Sequence, residues 1–275
     1  MTEGYEASVI RYRERRARRI TGPEGWLTVV GLSWLEEGEN TVGSDPSSAV
    51  VLPAGKAPGM IGTLEVHLGS VRFRSSPEAD VRHDHERVET IEMRDDLPGP
   101  PTVLSLGPVS FFVISRYGRL AVRVRDTEAP ARRAFRGFEY YPPDPRWRIE
   151  ARFEPHDHPL TYRVPTVLGI DEDYLGPGVL WLELEGSTFR IDPFLEQGEE
   201  DLFIVFGDLT NGEETYQGGR YLYAPPADES GRVIVDFNLC FNPPCVLTPH
   251  ATCAVPLPQN RLPVRVEAGE KRYRP

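Results

Sequence analysis

The chain has 275 residues, a net charge of −11 and a pI near 5.1. This acidic balance argues against a nucleic-acid-binding protein, because such proteins bind by neutralising phosphates. Hydrophobic residues at 39% and charged residues at 27% exclude an intrinsically disordered chain. The 27 prolines and 25 glycines require many turns, which excludes a coiled coil, a collagen and a helical bundle.

We expect a cytoplasmic protein with neither a membrane partner nor a nucleic-acid partner. No stretch of the sequence approaches the ~20 apolar residues of a membrane span. The N-terminus has neither the basic nor the apolar region of a secretory signal. The 3 cysteines are an odd set rather than the disulfide framework of a secreted protein. The oligomeric state stays open.

The first predicted element is a short N-terminal helix. Tyr5, Val9, Tyr12 and Ile20 recur at helical spacing, and the pair Gly22-Pro23 ends the run. The same segment carries six arginines, which could form a basic patch for an acidic partner. We favour the alternative that they are a solvated helix face.

Alternation of apolar and polar residues then predicts half-buried antiparallel strands. The clearest runs are Gly62–Leu68, Arg119–Arg125 and Trp147–Phe153. Because side chains alternate across a strand, we expect their apolar members, such as Leu68, to face the core. The turn signals Tyr117-Gly118 and Glu185–Ser187 predict two hairpins.

Short strands with proline and glycine between them are typical of β-sandwiches and barrels. We therefore predict a mainly β fold, with antiparallel sandwich- or barrel-like sheets in two packed halves and a short N-terminal α-helix. The predicted organisation is a helix at residues 1–21, an N-terminal β half at 22–130 and a C-terminal β half at 131–275. The C-terminal half carries the candidate site, and the two halves are expected to form one compact unit.

Several common catalytic motifs are absent from the sequence. It has no Gly-x-Ser-x-Gly, Walker loop, Gly-x-Gly-x-x-Gly or His-Glu-x-x-His, which argues against an α/β-hydrolase, a nucleotide kinase, a Rossmann dehydrogenase and a zincin. Two His-Asp-His triplets, at residues 83–85 and 156–158, could chelate a metal on a strand. Polar residues and prolines surround them and no third ligand is near, so we interpret both as surface loops and predict no metal site.

The C-terminal half places polar residues inside apolar segments. In the run Val233–Cys240 one set of alternate residues is wholly apolar, so Asp236 and Asn238 are expected on the opposite face of a strand. Asp and Asn are depleted in strand interiors, so two of them on one face need a partner or a ligand.

Arg220 is the expected centre of this polar cluster. Its bidentate guanidinium could balance the charges of Asp208, Asp236 and Glu270. In one interpretation these groups form a satisfied internal ion network. In the other they line a pocket where Arg220 holds an anionic or carbonyl group and Asp236 or Glu270 acts as base.

The candidate site follows from the second interpretation. The candidate catalytic residues are Asp236 and Glu270. The candidate ligand-binding residues are Asp208, Thr210, Tyr216, Arg220, Tyr221, Asn238, Asn242, Cys245 and Asn260.

Cys245 and Cys253 bracket His250 in a proline-rich loop and leave four alternatives open. They could form a disulfide, contribute to a zinc site with His250, supply a Cys–His nucleophile, or be buried or loop-bracing thiols. We favour the last, because a zinc knuckle needs a fourth ligand and nothing local supplies thiolate-stabilising charge.

Strings of residues across most of the chain resemble one known family. They are Gly25-Trp-Leu27, Gly38–Gly43, Arg123–Asp126, Phe206-x-Asp208-x-Thr210, Thr215-Tyr216, Gly219-Arg220-Tyr221, Asp236-Phe237-Asn238, Asn242-Pro243-x-Cys245, Ala251-Thr252-Cys253, Asn260-x-Leu262 and Ala268-Gly269-Glu270. On these strings the chain resembles an uncharacterised prokaryotic family, domain of unknown function 1684. The resemblance implies no activity, substrate or catalytic residue. One departure is that Ala254-Val255 stands before Pro256, where the family pattern has proline directly after the second cysteine.

A second, local resemblance concerns residues 38–52, which are similar to the opening of a forkhead-associated domain. The arginine and serine that bind phosphothreonine in such domains have no counterparts here.

Three function classes remain open from the sequence. The first is a small-molecule enzyme, hydrolase- or lyase-like, that uses the Arg/carboxylate pocket. The second is a non-catalytic β-domain that binds a small anionic or carbohydrate ligand, and the third is a structural or scaffold protein. A small-molecule ligand is the expected partner under the first two classes, and no cofactor is predicted.

Overall fold

The computed structural model describes residues 2–274, and side chains from residue 4 onward. The chain divides into two compact units. The site unit comprises residues 1–19, 136–246 and 252–275, and the sandwich unit comprises residues 20–135 and 247–251. The sequence-based halves at 22–130 and 131–275, expected to form one compact unit, stay a prediction.

The chain begins with helix α1, Thr2–Thr21, and continues into the sandwich unit. The strands of that unit are β1 Val29–Trp34, β2 Gly38–Gly43, β3 Val50–Val51, β4 Gly62–His67, β5 Ser70–Ser75, β6 Arg82–His83, β7 Glu86–Arg87, β8 Thr90–Met93, β9 Val103–Leu106, β10 Val109–Arg116 and β11 Arg119–Asp126. A short helix, α2, follows at Pro130–Ala134.

The sandwich unit has two sheets that share one core. One sheet has the strand order β1-β11-β10-β9-β6-β7 and the other β3-β2-β4-β5-β8. Alternating residues of both sheets enter a common hydrophobic cluster, in which Phe73 of β5 meets Phe111 of β10 with ring centroids 5.6 Å apart. This shared burial supplies the main stabilisation of the unit.

The site unit is built on one seven-stranded sheet. Its strands are β12 Arg148–Pro165, β13 Asp171–Leu184, β14 Ser187–Ile191, β15 Phe194–Leu195, β16 Leu202–Phe206, β17 Arg220–Ala224 and β18 Arg232–Asp236. The strand order is β17-β16-β15-β13-β12-β18, with β14 paired to β13. Strands β17 and β18, at the two ends of this order, contact each other, so the sheet curls into a half-barrel around its core.

The predicted fold class is confirmed. The chain is mainly β with antiparallel sheets and an N-terminal helix. Both predicted hairpins form, and their turns at Tyr117-Gly118 and Glu185-Gly186 have the positive φ angles of tight two-residue turns. None of the helices within residues 2–274 is long and apolar enough to cross a bilayer.

Two strand expectations are wrong. Strand β18 ends at Asp236 and continues as a 3₁₀ turn, Phe237–Leu239, because the Asp236 carboxylate accepts a hydrogen bond from the Asn238 backbone N–H and caps the turn. Leu68, expected in the core, is 86% exposed, since β4 ends at His67 and Leu68 starts a turn with φ 48°.

The His-Asp-His triplets were interpreted as surface loops, which is confirmed for Asp84 and His85, in an exposed turn, and wrong for residues 156–158. His83 lies in β6, and residues 156–158 lie within β12. The pairing of β12 with β13 is interrupted between Pro155 and Leu160, which accommodates Pro159, whose nitrogen has no hydrogen to donate. Within residues 2–274, no group of three or more His, Cys, Asp or Glu side chains is arranged to hold a metal ion.

The glycine preceding Glu270 tests how tightly the site unit is packed. At Gly269, with φ 72°, a Cβ atom would overlap the sulfur and the carbonyl oxygen of Cys240. We expect Gly269→Ala to lower the free energy of unfolding by about 3 kcal/mol, combining left-handed strain with overpacking. Gly198→Ala is the matched control: its φ is 83° but nothing lies within 4 Å of the added Cβ, so only about 1 kcal/mol is expected. Equal losses in urea denaturation would contradict the close packing at Gly269.

Candidate functional site

Arg220 and Asp208 form a fully buried ion pair. Arg220 opens β17, and its Nη2 donates to the Asp208 Oδ1 at 3.1 Å, with both side chains at 0% exposure. The guanidinium also donates to the carbonyl oxygens of Val266, at 2.8 Å, and of Ala268. The Phe206 ring lies 5.2 Å from the guanidinium carbon. The pair is therefore enclosed by protein on its polar and apolar sides.

Asp208 has further partners that use its remaining lone pairs. Its Oδ2 accepts a hydrogen bond from the Val266 backbone N–H at 2.7 Å. Thr210 donates its hydroxyl to the same carboxylate at 2.9 Å and lies 2.8 Å from the hydroxyl of Thr215. These contacts satisfy the Asp208 carboxylate within the protein.

Asp236 and Asn238 pair with the N-terminal helix rather than with Arg220. The Tyr5 hydroxyl donates to the Asp236 Oδ2 at 2.8 Å, and the Asn238 Nδ2 donates to the Asp236 Oδ1 at 3.0 Å. Burial, and then the neighbouring Asp236 carboxylate, raises the pKa of Tyr5. The Asn238 Oδ1 accepts from the Asp144 backbone N–H at 2.9 Å.

Glu270, which is 0% exposed, also meets the N-terminal helix. Arg16 donates its Nε to the Glu270 Oε1 and its Nη2 to the Asn242 carbonyl oxygen, the latter at 3.0 Å. The Asn242 backbone N–H donates to the other Glu270 oxygen at 2.8 Å, and the Phe241 ring lies 4.1 Å from the Arg16 guanidinium carbon. The three candidate carboxylates thus have three separate sets of partners, and the expectation that Arg220 would balance all three is wrong.

Asn260 holds backbone segments together. Its Oδ1 accepts from the Asp192 N–H at 2.8 Å, and its Nδ2 donates to the carbonyl oxygens of Asp192 and Val205 at 2.9 and 3.0 Å. With every side-chain polar atom bonded to backbone and 0% exposure, Asn260 fixes the chain and is closed to a ligand.

The remaining predicted residues gather around two thiols. The backbone N–H of Cys245 donates to the Cys253 sulfur at 3.2 Å, and the Cys245 sulfur lies 3.6 Å from the Tyr216 hydroxyl. Tyr221 donates its hydroxyl to the Ala254 carbonyl oxygen at 2.8 Å. Cys245 and Tyr216 are half-buried, so this part of the predicted set, unlike Arg220, reaches solvent.

An open groove of about 570 Å³ lies beside the ion pair, and sequence reasoning missed it. Its apolar lining includes Ile149, Leu209 and Val264, next to Trp147. The indole N–H of Trp147 is buried and has no hydrogen-bond partner within the described residues. Trp147 was the only sequence feature that could have indicated the groove. Its position in an alternating run, however, predicted no more than a core residue.

Charged side chains of both signs complete the groove lining. The lining contains two arginines, Arg146 and Arg265, and three glutamates, Glu183, Glu185 and Glu267. Both arginines already have acidic partners. Arg146 lies 2.8 Å from the Asp144 carboxylate and Arg265 lies 3.2 Å from Glu267.

The groove wall is joined directly to the buried ion pair. The Leu209 N–H donates to the Val264 carbonyl oxygen at 3.0 Å, one residue beyond Asp208 and two before Val266. The same short segments therefore carry the ion-pair contacts and the groove lining.

Comparison with known proteins places this arrangement in a family. The family model described as protein of unknown function (DUF1684) matches residues 133–271, just over half of the chain. The chain belongs to the DUF1684 family. No curated protein matches the chain.

Two solved structures are similar to parts of the chain. One is the solution NMR structure of an uncharacterized protein from gene locus rrnAC0354 of Haloarcula marismortui, with 30% identity, coverage of 52% of this chain and 80% of that one, and a TM-score of 0.44. The other comes from a study of phosphothreonine-dependent FHA domain interactions, with 16% identity, coverage of 36% and 96%, and a TM-score of 0.24.

The DUF1684 match covers all the predicted site residues but not α1. The helix that supplies Tyr5 and Arg16 to Asp236 and Glu270 lies before residue 133. The sequence placed the polar residues in one segment, but it gave no signal that their partners come from the N-terminus.

Loss of the Asp208 charge tests the buried ion pair. Asp208→Asn leaves the Arg220 guanidinium buried without a counter-charge, and we expect the free energy of unfolding to fall by about 3–5 kcal/mol at neutral pH. Glu150→Gln removes a carboxylate from an exposed pair in the same unit, 3.9 Å from Arg232, and should cost less than about 1 kcal/mol. If thermal and urea denaturation show equal losses of stability for the two variants, Asp208 and Arg220 do not form a buried ion pair.

Loss of the Arg16 charge tests the docking of α1. Arg16→Met keeps an unbranched side chain but removes the guanidinium that lies over Phe241 and leaves Glu270 buried without a cation, so a loss of about 3 kcal/mol is expected. Arg15→Met, on the exposed side of the same helix, should change stability by less than about 0.5 kcal/mol. If Arg16→Met and Arg15→Met have the same melting temperature, the helix does not neutralise Glu270 in solution.

Proposed function

We propose that the site unit is a non-catalytic binding domain for a small neutral carbohydrate, held in the groove beside the Arg220–Asp208 pair. The observation that carries this proposal is the groove's combination of apolar lining, carboxylates and the buried, unpartnered indole N–H of Trp147. Ligand sites are concave and largely apolar with a few placed polar groups, and their volumes run from about 300 to 1,000 Å³. The groove's volume of about 570 Å³ lies inside that range.

The pairing of the candidate carboxylates disfavours the hydrolase or lyase alternative. A general base must come within hydrogen-bond reach of the proton that it abstracts. Asp236 is engaged by Tyr5 and Asn238, and Glu270 by Arg16 and the Asn242 N–H. Arg220, the expected substrate anchor, is 0% exposed. We therefore assign these residues a structural role in holding the site.

Charge decides between the anionic and the carbohydrate ligand. The lining has two arginines and three glutamates, and both arginines are paired with acids. An anion would meet a net negative surface without a free cation to bind it. A neutral ligand avoids this repulsion.

Hydroxyl groups suit the remaining polar atoms. The exposed Glu183 and Glu185 carboxylates can accept hydrogen bonds from sugar hydroxyls. The Trp147 N–H, which is closed to solvent in the free protein, can donate to a hydroxyl once the ring turns toward the groove on binding. The C–H face of a sugar ring can pack on Leu209 and Val264. A buried donor without a partner costs about 1–3 kcal/mol, and a ligand hydroxyl would relieve that cost.

A binding panel tests the proposal. We expect titration of the protein with neutral mono- and disaccharides, followed by calorimetry, to find at least one ligand that binds. Trp147→Phe keeps an aromatic ring and removes the N–H, so it should weaken that binding about tenfold, the effect of about one hydrogen bond.

Trp181→Phe provides the matched control, because the Trp181 N–H is bonded to Glu154 at 3.0 Å and the residue does not line the groove. It should bind as the wild type does. Binding of sugar acids or phosphates but of no neutral sugar would contradict the charge argument. If the wild type and Trp147→Phe bind the sugar with equal affinity, the groove is not its binding site.

A further inference from the structure

Two thiol-bearing residues of the site unit lie in direct contact. The Cys245 N–H donates to the Cys253 sulfur at 3.2 Å, and the Cys245 sulfur lies 3.6 Å from the Tyr216 hydroxyl. Cys245 is half-buried and open to a small reagent, whereas Cys253 is 6% exposed. This asymmetry gives the pair one accessible and one protected sulfur.

The backbone around both thiols is held in place. Cys245 lies in a 3₁₀ turn, Pro244–Val246. On the other side, the Cys253 carbonyl oxygen accepts from the Val167 N–H at 2.9 Å, and the Val255 N–H donates to the Pro165 carbonyl oxygen at 2.7 Å. The contact between the thiols therefore rests on fixed backbone.

Neighbouring donors give the two thiols opposite acidities. Hydrogen bonds from the Cys253 thiol, and then from the Tyr216 hydroxyl, lower the pKa of Cys245 to about 7 against the opposing effect of burial. The hydrogen bond to Cys245, and then burial, raises the pKa of Cys253. Burial first, and then the contact with Cys245, raises the pKa of Tyr216. Cys245 is thus the nucleophilic thiolate at neutral pH, and Cys253 and Tyr216 keep their protons.

We propose that Cys245 and Cys253 form a redox site that reduces a hydroperoxide and closes to a disulfide. This inference does not depend on the groove or on the proposed carbohydrate. Residues 245 and 253 would become the ends of a small covalent ring. The co-reactant is a hydroperoxide, which supplies the oxidising equivalents.

The steps balance in atoms and electrons. The Cys245 thiolate attacks one peroxide oxygen, an S–O bond forms, the O–O bond breaks, and the departing alkoxide takes a proton to become an alcohol or water. Cys245 is then a sulfenic acid. The Cys253 sulfur attacks the Cys245 sulfur, the S–S bond forms, and hydroxide leaves and takes up the Cys253 proton as water. The two thiols lose two electrons in all, and the peroxide gains them.

Cys240 serves as an internal control. Its thiol is 1% exposed and donates to the Ala268 carbonyl oxygen at 3.4 Å. Burial raises the pKa of Cys240 to about 12, so it stays a protonated, protected thiol.

The test uses the reduced full chain and hydrogen peroxide as the probe. Trypsin cleavage after Arg232 and Arg261 releases a peptide that holds all three cysteines, and fragment mass spectra then locate each modification. We expect peroxide to remove two hydrogens from this peptide through a Cys245–Cys253 disulfide, and dithiothreitol to restore them. Cys240 should stay alkylatable after unfolding.

Two variants separate the roles of the sulfurs. Cys253→Ser should stop at a sulfenic acid on Cys245, which dimedone traps. Cys245→Ser should oxidise on the order of tenfold more slowly at Cys253, because no accessible thiolate remains. The wild-type peptide map decides the question even if either variant fails to fold.

The pH profile gives an independent readout. With a Cys245 pKa of about 7, the oxidation rate should rise about tenfold between pH 6 and pH 8 and then level off. The groups that face Cys245 are Cys253 and Tyr216, both of which keep their protons over this range. A rate that climbs steeply to pH 9, oxidation of Cys240 first, or overoxidation of Cys245 without a disulfide would each overturn the proposal.

Discussion

The Arg220–Asp208 ion pair fixes the positions on which the rest of the site unit depends. The guanidinium has 0% exposure, and both of its terminal nitrogens donate to protein oxygens, which offsets a desolvation cost of several kcal/mol per ion. Those partners include the carbonyl oxygens of Val266 and Ala268, which belong to the segment after residue 261. The ion pair therefore determines where that segment runs. Leu209 and Val264, and with them the groove, follow from this placement.

In the site unit, the polar residues that hold the fold together are different from those that we propose to bind or react. Its most buried polar residues, Arg220, Asp208 and Asn260, use their hydrogen-bonding atoms to hold backbone in place. The groups that we propose to recognise a ligand or to react lie nearer the surface, at the groove beside Trp147 and at the half-buried Cys245. An unusual density of polar residues in a β-rich segment thus indicates where the site lies without naming the residues that act in it.

Local patterns predicted the elements well, because they depend on neighbours in the sequence. The alternation in Arg119–Arg125 and the turn at Tyr117-Gly118 predicted a strand and a hairpin that the fold contains. Asp236 shows where such patterns fail: its carboxylate ends β18 by capping the next turn, a competing local hydrogen bond that the apolar spacing does not reveal. Arg16 shows a second limit. Its helical spacing predicted a solvated face, yet its charge is used by a glutamate 254 positions away. The groove was also missed because the alternating pattern makes Trp147 look like any other core residue. Its unpartnered N–H is visible only in the structure.

The distance in sequence between Arg16 and Glu270 also has a consequence for biosynthesis. Arg16 is synthesised before its buried partner Glu270, which lies 254 positions further along the chain. At typical rates of about 5–20 residues per second, the 254 intervening positions take about 10–50 seconds to translate. Within that interval residues 20–135 of the sandwich unit are completed first, while the site unit still lacks residues 136–246 and 252–270. The Arg16–Glu270 contact can therefore form only after residue 270 has been made, and until then α1 has no Glu270 to dock against.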